Sequence, residues 1–203
     1  MIDVSKIVVR RACSDDDIQK IVELRWKGYG KHHPSKEHML DDDDFATNTV
    51  LLLAVDEDNH AIGTLRIQDG RHGTLELQSY VNIDLFVSDT DKPCAQVSRL
   101  VVLKRPDSLS VKCALWKAFY QYCVSNGIKT ALIDAFPLLG RLTYRFLLFE
   151  DVGDEGEFYH PTYGNARNRT YKLNIQQAEQ AWRNINHPFY DFFILQATPN
   201  ITF

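Results

Sequence analysis

The sequence predicts an α+β fold in which a central mixed, twisted sheet carries helices on both faces. The strongest indication is residues 95–137, where a buried strand, a polar loop, a helix and a second buried strand follow one another. Such a unit joins two parallel strands through a right-handed crossover. The hairpin pattern at residues 50–68 places antiparallel strands beside that unit. Together these patterns predict a sheet of about seven strands.

The elements of the first half follow from helix caps, apolar spacing and turn residues. Residues 6–10 predict a strand, and Ser14 followed by three aspartates marks the start of a helix that ends near residues 28–30. Residues 31–44 are polar, and we expect a mobile loop or a short irregular helix there. Three strands separated by turns are then predicted at residues 50–55, 61–68 and 74–78. Residues 80–92 give an ambiguous pattern.

The second half starts with the central unit. The apolar run from Val97 to Leu103 is typical of a strand that is buried on both faces. Asp107 or Ser108 can cap the helix that follows, and Asn126-Gly127 ends it. A second buried strand is predicted at residues 130–135. The remaining predicted elements are a helix at 138–148, a strand beginning within 149–152, a loop at 153–168, a strand at 169–173 and a final helix capped by Asn174.

Composition narrows the class of protein. The 203 residues, 44% of them apolar and 11% aromatic, predict one domain with a sizeable core, in which residues 174–203 form a helical and aromatic extension. The net charge of −4 gives no support for nucleic-acid binding. The sequence contains no run of 18 apolar residues, so no transmembrane segment is predicted. Residues 1–11 lack the apolar core of a signal peptide.

Cysteines and histidines give no metal or disulfide pattern. The four cysteines are scattered without CxxC spacing, so we interpret them as reduced thiols of a cytoplasmic protein. His32, His33 and His38 do not have the spacing of a helical ligand pair. We therefore expect no metal.

Several short motifs carry a resemblance to a known family. In chain order they are Arg25-Trp26, the four aspartates at 41–44, Gly63-Thr64-Leu65-Arg66 and Ser98-Arg99-Leu100-Val101-Val102. This series resembles the Arg, Trp, paired Asp, Gly-x-x-Arg and Ser-Arg-Phe-Ala-Val positions of the acyl-homoserine-lactone (autoinducer) synthases. The segment from Tyr144 to Phe149 resembles a Tyr-x-x-x-Gly-Phe segment of the same superfamily, and the C-terminal half looks closer to the long-chain N-acyl amino acid synthases. The resemblance covers residues 6–173 and implies the acetyltransferase-like (GNAT) fold.

The resemblance implies an N-acyltransferase. It would move a long-chain acyl group from the phosphopantetheine thioester of acyl carrier protein to the amine of an amino acid. One departure is Gln96, which stands where autoinducer synthases carry Glu and cannot act as a base. A second is the loop Arg105-Pro-Asp-Ser-Leu-Ser, which lacks the glycines that let backbone approach a diphosphate. This loop disfavours coenzyme A and leaves room for one phosphate.

Two other functions remain open. One is an acetyl-coenzyme A-dependent acetyltransferase that acts on a small amine. The other is a non-catalytic acyl-carrier or lipid-sensing module, which Gln96 supports because it removes the expected base.

Catalytic roles are predicted at the cleft between the strands of the central unit. Tyr144 can protonate the departing thiolate, or it can pack its ring in the core. Glu76 and Asp84 are candidate bases in place of Gln96, although either can be ordinary polar surface. A backbone N–H near Val101 or Val102 would bind the oxyanion.

Binding roles are predicted in three groups. Arg66 can pair with the aspartates at 41–44 or with a substrate carboxylate, and the buried Arg99 needs an acidic partner such as Asp134 or Glu76. Arg25 and Trp26 join them as substrate-binding candidates by resemblance. The acyl chain would contact Leu85, Phe86, Phe119 and Phe146. The phosphopantetheine or an acidic carrier surface would meet Val102, Lys104, Arg105, Ser108 and Ser110, although Lys104 and Arg105 can equally be solvated charges.

Overall fold

Backbone pairing arranges the chain as a mixed sheet. The computed structural model describes residues 2–140, 144–161 and 165–203. Across these described residues the sheet has eight strands, ordered β1-β2-β3-β4-β5-β8-β6, with β7 also paired to β8. The strands are β1 Val8–Arg11, β2 Thr49–Val55, β3 Ala61–Asp69, β4 Cys94–Val102, β5 Thr130–Ala135, β6 Glu150–Asp151, β7 Glu157–His160 and β8 Ala166–Asn174. Only β4 and β5 are parallel among these described pairs, so the predicted mixed sheet and α+β class are confirmed.

Four α-helices accompany the strands within the described ranges. They are α1 Asp15–Tyr29, α2 Ser108–Ser125, the short α3 Pro137–Leu139 and α4 Ile175–Asn184. The predicted caps are confirmed at two of them, since Ser14 Oγ accepts the N–H of Asp17 at 3.2 Å and Asn174 Oδ1 accepts that of Gln177 at 3.1 Å. None of the helices in the described part of the chain is long and apolar enough to cross a membrane.

The sheet is covered on both faces, which explains why β2 is apolar along its whole length. Leu51 and Leu53 pack in a cluster with Leu24 of α1. The alternate residue Leu52 belongs to the larger cluster that contains α2, including Val111. Successive side chains of a strand point to opposite faces, so each face of β2 buries its own set.

The C-terminal segment crosses the α2 face and reaches the outer edge of the sheet. The buried ammonium of Lys117 on α2 donates to the carbonyls of Phe192 and Gln196, each at 2.5 Å. Further on, Ile201 forms a parallel bridge with Val9 of β1. This segment therefore covers one face of the sheet and pairs with its edge strand.

Three predicted elements differ in the structure. The strand predicted at 74–78 is wrong, since residues Glu76–Ser79 form a 3₁₀ turn in which the N–H groups of Glu76 and Leu77 donate to glutamine side chains rather than to a neighbouring strand. The loop predicted at 153–168 is wrong in part, because β7 and the start of β8 pair within it. The helix predicted at 138–148 appears as α3 and a 3₁₀ turn at Arg145–Leu147, with residues 141–143 outside the described ranges.

Candidate active site

A cleft opens where the two parallel strands part. Pairing between β4 and β5 runs only from Cys94 with Thr130 to Gln96 with Leu132. Beyond Gln96 the strands diverge and leave a cleft of about 380 Å³. Its walls include Tyr80, Ser98, Arg99, Asp134, Tyr144 and His160. The separation exposes strand backbone and side chains to a ligand at the centre of the sheet.

A bulge in β4 shapes one wall of this cleft. Arg66 pairs with Ser98 and Thr64 with Val101, so two residues of β4 stand opposite one residue of β3. Arg99 lies in this bulge with φ of 55°, a left-handed conformation that a non-glycine residue adopts at a cost of about 1–3 kcal/mol. A bulge bends its strand and re-aims its side chains. Here it turns β4 away from β5 and places Arg99 at the cleft wall.

Three arginines and three carboxylates form a network beside the cleft. They come from α1, the 41–44 segment, β3, the Glu76–Ser79 turn and β4, and they are Arg25, Asp41, Asp44, Arg66, Glu76 and Arg99. Arg25 binds both oxygens of Asp44, at 2.6 and 2.9 Å. Arg66 donates to Asp41 and to Glu76, each at 2.6 Å. A third contact joins Arg66 to Asp44 at 3.2 Å.

Arg99 completes this network. It donates to Asp41 at 2.6 Å and to Glu76 at 2.9 Å. Glu76 is one of the two acidic partners that are predicted for Arg99 from the sequence. Equal numbers of positive and negative groups make the network neutral, which is the condition under which buried charges are tolerated. The aspartate segment, for which a mobile loop or a short irregular helix is predicted, is therefore tied to the sheet by ion pairs and forms a 3₁₀ turn at Asp42–Phe45.

Glu76 is held by its surroundings rather than exposed as a base. Arg66 occupies one carboxylate oxygen and Arg99 the other. The backbone N–H of Glu76 donates to the side chain of Gln68 at 3.0 Å. Both oxygens of this carboxylate therefore already accept an arginine N–H. The other candidate base, Asp84, lies away from the cleft and pairs with Lys92 at 2.8 Å.

Gln96 has a positioning role that its sequence did not reveal. Its Oε1 accepts the N–H of Leu77 at 2.8 Å, which fastens the Glu76–Ser79 turn to β4. Its Nε2 lies 3.5 Å from Oδ1 of Asp134. The amide therefore connects the network side of the cleft with the β5 wall.

Asp134 and Tyr144 are the ionisable pair on the β5 side. Burial, together with the charge of Glu76, raises the pKa of Asp134 to about 6 against the opposing influence of Arg99. Burial, reinforced by the nearby Asp134, raises the pKa of Tyr144 to about 12. The phenol thus stays protonated at neutral pH. From the sequence, Asp134 is predicted only as a possible partner of Arg99, although a single carboxylate in the apolar strand at residues 130–135 already indicates a special environment.

The backbone N–H groups of Val101 and Val102 point to opposite sides of β4. Leu103 donates its N–H to Ile62 across the β3 side at 3.0 Å. Because N–H groups alternate in direction along a strand, that of Val101 also faces β3 and that of Val102 points away from β3, toward the side of β4 on which β5 lies. The Val101 side chain packs instead against Gly28 of α1, where an added Cβ would lie 2.8 Å from its Cγ1.

The predicted acyl-contact residues lie in different places. Phe119 is buried and lines a small apolar void of about 10 Å³ between α2 and α4, together with Trp116 and Trp182. Tyr144 separates this void from the cleft, since its ring meets that of Trp116 at 5.8 Å. The other three residues lie elsewhere: Leu85 is exposed, Phe86 lines a different groove of about 750 Å³, and Phe146 is exposed beside His187.

The predicted phosphate loop is held by its own contacts. Arg105 pairs with Asp56 and with Asp107, each at 3.0 Å. Ser108 Oγ accepts the N–H of Arg105 at 2.9 Å and donates to its carbonyl. Lys104 is exposed, and Ser110 is half-buried in the first turn of α2. Two carboxylates thus neutralise Arg105 and leave Lys104 as an exposed cation of this loop.

The remaining substrate-binding candidates, Arg25 and Trp26, make contacts that stabilise the fold. The side chain of Arg25 is fully buried, and a third contact joins it to the carbonyl of Met39 at 2.8 Å. The half-buried Trp26 packs over Gly30, where an added Cβ would lie 2.5 Å from the indole ring. Arg25 is therefore part of the ion-pair network and Trp26 packs at the end of α1, and neither residue lies on the cleft wall.

One cluster of possible metal ligands lies outside the cleft. Asp56, Asp58 and His60 bring ligand atoms within 4.8 Å of one another at the β2–β3 turn. Asp56 already accepts the N–H groups of Asp58 and His60 and pairs with Arg105. These contacts are those of a polar turn.

Comparisons with known proteins agree with this geometry. A sequence model of the N-acyl amino acid synthase FeeM family matches residues 20–171. The solved structure of FeeM, an N-acyl amino acid synthase from uncultured soil microbes, gives a TM-score of 0.72 at 13% identity, covering 89% of this chain and 97% of that chain. BjaI, a coenzyme A-dependent acyl-homoserine lactone synthase, gives a TM-score of 0.61 at 17% identity, with 90% of each chain covered.

A more distant likeness extends to acetyltransferases. Aminoglycoside 6'-acetyltransferase type Ii gives a TM-score of 0.57 at 12% identity, covering 83% of this chain and 97% of that chain. No curated protein sequence matches. At these identities the structures show a GNAT-like fold, and the family match covers most of the chain. The chain belongs to the FeeM family of N-acyl amino acid synthases and is an N-acyltransferase.

Proposed function

We propose that this enzyme transfers a long-chain acyl group from the phosphopantetheine thioester of acyl carrier protein to the amine of an amino acid. The observation that carries the proposal is the cleft between β4 and β5, which has an apolar void behind Tyr144 and charged groups along its other wall. An apolar end suits a fatty chain, and charged groups suit a zwitterionic acceptor.

The loop before α2 supports a carrier-bound donor over coenzyme A. It contains no glycine, and Asp56 and Asp107 surround its arginine. A nucleotide diphosphate would meet these carboxylates as like charges. The exposed Lys104 can approach a single phosphate or the acidic surface expected of a carrier protein.

The acceptor side of the cleft supports an amino acid. Lys31, an exposed cation, and His32 line the cleft at the end of α1. A cation here can bind a carboxylate while the amine reaches the centre of the cleft. This arrangement gives the amino acid one orientation.

The apolar void between α2 and α4 supports a fatty acyl chain that enters past Tyr144. Trp116, Phe119 and Trp182 surround the void and are all buried. An extended chain requires these rings to shift, since interiors are close-packed. The sizes of these side chains then set the acyl length that the enzyme accepts.

The chemistry needs an oxyanion donor and an acid. The N–H of Val102 points to the side of β4 on which β5 lies, where it can donate to the carbonyl oxygen as that oxygen gains negative charge. Tyr144, protonated at neutral pH, can donate to the departing sulfur. These roles follow the predicted ones, with Val102 preferred over Val101.

A mass-spectrometric assay tests the proposal. Purified enzyme is incubated with the twenty amino acids and with fatty acyl groups carried either by acyl carrier protein or by coenzyme A. We expect an N-acyl amino acid from the carrier-bound donor at a kcat/KM well above that of coenzyme A. Product from acetyl-coenzyme A and a small amine, with none from any fatty thioester, would instead favour an acetyltransferase.

A further inference from the structure

We propose, on the basis of the proposed function, that Asp134 is the general base that takes a proton from the attacking amine, and that Gln96 is its positioning residue. Asp134 lies on β5 two residues beyond Leu132, the last residue that pairs with β4. It therefore occupies the β5 wall at the point where the cleft begins, across from the Ser98–Leu100 stretch of β4. No catalytic role followed for this residue from its sequence.

The hydrogen bonds of Gln96 fix the direction in which its amide faces. The N–H of Leu77 needs an acceptor, and the side-chain oxygen of Gln96 supplies it at 2.8 Å. The NH₂ group consequently faces Oδ1 of Asp134, at 3.5 Å. One oxygen of Asp134 thus lies within reach of a neutral donor, and no salt bridge joins this carboxylate to another residue of the described ranges.

Other groups in the cleft are less suited to accept the proton. Both oxygens of Glu76 are bound by arginines. Burial lowers the pKa of His160, which makes its neutral imidazole a weaker base than an ordinary histidine. Burial raises the pKa of Tyr80, so its phenol carries its own proton at neutral pH. Asp134 combines access to the cleft with a carboxylate that forms no salt bridge with an arginine of the described ranges.

The groups that face Asp134 tune its basicity. They are Glu76 and Tyr80 from the turns before β4, Arg66 from β3, Arg99 from β4 and Tyr144 after α3. Burial first, and then Glu76, raise the pKa of Asp134 to about 6, while Arg99 and Arg66 oppose them. The carboxylate is therefore ionised at neutral pH yet more basic than an exposed aspartate, which suits a general base.

The proposed reaction moves the acyl group from the sulfur of the donor to the nitrogen of the amino acid. Asp134 accepts one proton from the ammonium group of the amino acid, and the nitrogen lone pair forms a C–N bond with the thioester carbonyl carbon. The resulting tetrahedral species holds its negative oxygen at Val102 N–H. The C–S bond then breaks, and the second amine proton reaches sulfur directly or through the hydroxyl of Tyr144. The products are an amide, a thiol and one proton, which Asp134 returns to solvent.

The first test compares the parent enzyme with Asp134→Asn, which keeps the size of the side chain and removes its basicity. The matched control is Asp58→Asn, at an exposed turn. We expect kcat to fall about 10²–10⁴-fold in Asp134→Asn, with little change in KM for either substrate. The acid limb of the parent pH profile, near pH 6, should disappear in this variant. The deficit should shrink as rising pH deprotonates the amine in solution.

The second test is Gln96→Glu, which remains informative if Asp134→Asn does not fold. A glutamate oxygen can still accept the N–H of Leu77, while its charge lies beside Asp134 and disfavours ionisation of that carboxyl. The acid limb should move to higher pH. An unmoved limb in Gln96→Glu, or parent-like turnover in a folded Asp134→Asn, overturns the inference. Absence of any amide from the parent enzyme is a different result, and it refutes the proposed function together with this inference.

Discussion

Removing Asp44 should destabilise the protein strongly, because its carboxylate binds two buried arginines. The side chains of Asp44, Arg25 and Arg66 are all 0% exposed. Arg25 contacts Asp44 at 2.6 and 2.9 Å, and Arg66 contacts it at 3.2 Å. Among the described residues, Asp44→Ala leaves Arg25 with the carbonyl of Met39 as its remaining hydrogen-bond acceptor. A guanidinium would then be buried without a counter-charge.

The size of the effect follows from that geometry. Breaking a buried ion pair by removing one partner costs about 3–5 kcal/mol. With a urea m-value of about 3 kcal/mol/M, the upper end of the usual range, the midpoint of unfolding should fall by about 1–1.7 M. The exposed control Asp58→Ala should change the free energy of unfolding by less than about 0.5 kcal/mol.

The pH dependence gives a second measure of the same carboxylate. Burial opposes its ionisation, but the hydrogen bonds and charge of Arg25, with that of Arg66, prevail and hold the pKa of Asp44 below its usual value of 3.8. A depressed pKa contributes stability above the unfolded value, which is lost as pH falls through the folded one. The difference between parent and Asp44→Ala should therefore shrink below about pH 4. A midpoint shift under 0.3 M urea at neutral pH, about a third of the smallest expected shift, would refute the reasoning.

Further predictions concern substrates. Lys31→Ala should raise KM for the amino acid about 5–30-fold with kcat little changed, because it removes one charge-assisted contact, whereas Lys6→Ala at the far surface should have no effect on steady-state kinetics. Phe119→Ala should move the preferred acyl length to longer chains, measured with a series of acyl donors; an unchanged profile would place the chain elsewhere. Lys104→Ala with Arg105→Ala should weaken carrier-protein binding at low salt while turnover at saturation stays similar, and the loss should shrink in high salt because exposed charges are screened over about 8 Å at physiological ionic strength. Parent-like binding by calorimetry at low salt would show that the carrier docks on another surface.

The sheet was predictable because its signals are local. β5 matches its predicted bounds at 130–135, and α1 begins after Ser14 as its acidic first turn indicated. The turn at Glu76–Ser79 was not predictable, since Leu75 and Leu77 alternate as in a strand and are both buried. What makes it a turn is the supply of acceptors by glutamines from β3 and β4, which are distant in sequence.

The site was predictable in part for a similar reason. A charged residue within an apolar strand can be recognised in the sequence, and it needs a partner of opposite charge. Arg66 and Arg99 are such residues, and in the structure both pair with Asp41 and Glu76. Which carboxylate remains available for proton transfer depends on which carboxylates form ion pairs with the arginines of the site. That outcome, which leaves Asp134 on the cleft wall, is a property of the folded arrangement.

The shape of the acyl void also arises from distant segments. Trp182 on α4 lies beside Phe119 on α2 because the C-terminal segment returns across that helix. Neither residue lies in a motif, and their separation in sequence hides the contact. Exposed Leu85 and Phe146 were equally apolar candidates, and only packing distinguishes them from Phe119.

The most direct measurement of the central claim is the stoichiometry of a single turnover. Enzyme in excess is mixed with isotope-labelled acyl-carrier protein and the preferred amino acid, and both the thiol released and the amide formed are quantified. Acyl transfer to the amine predicts one amide for each thiol, with every label in the N-acyl amino acid. Thiol release with free fatty acid and no amide would mean hydrolysis, and carrier binding without thiol release would mean no transfer; either result would contradict the account.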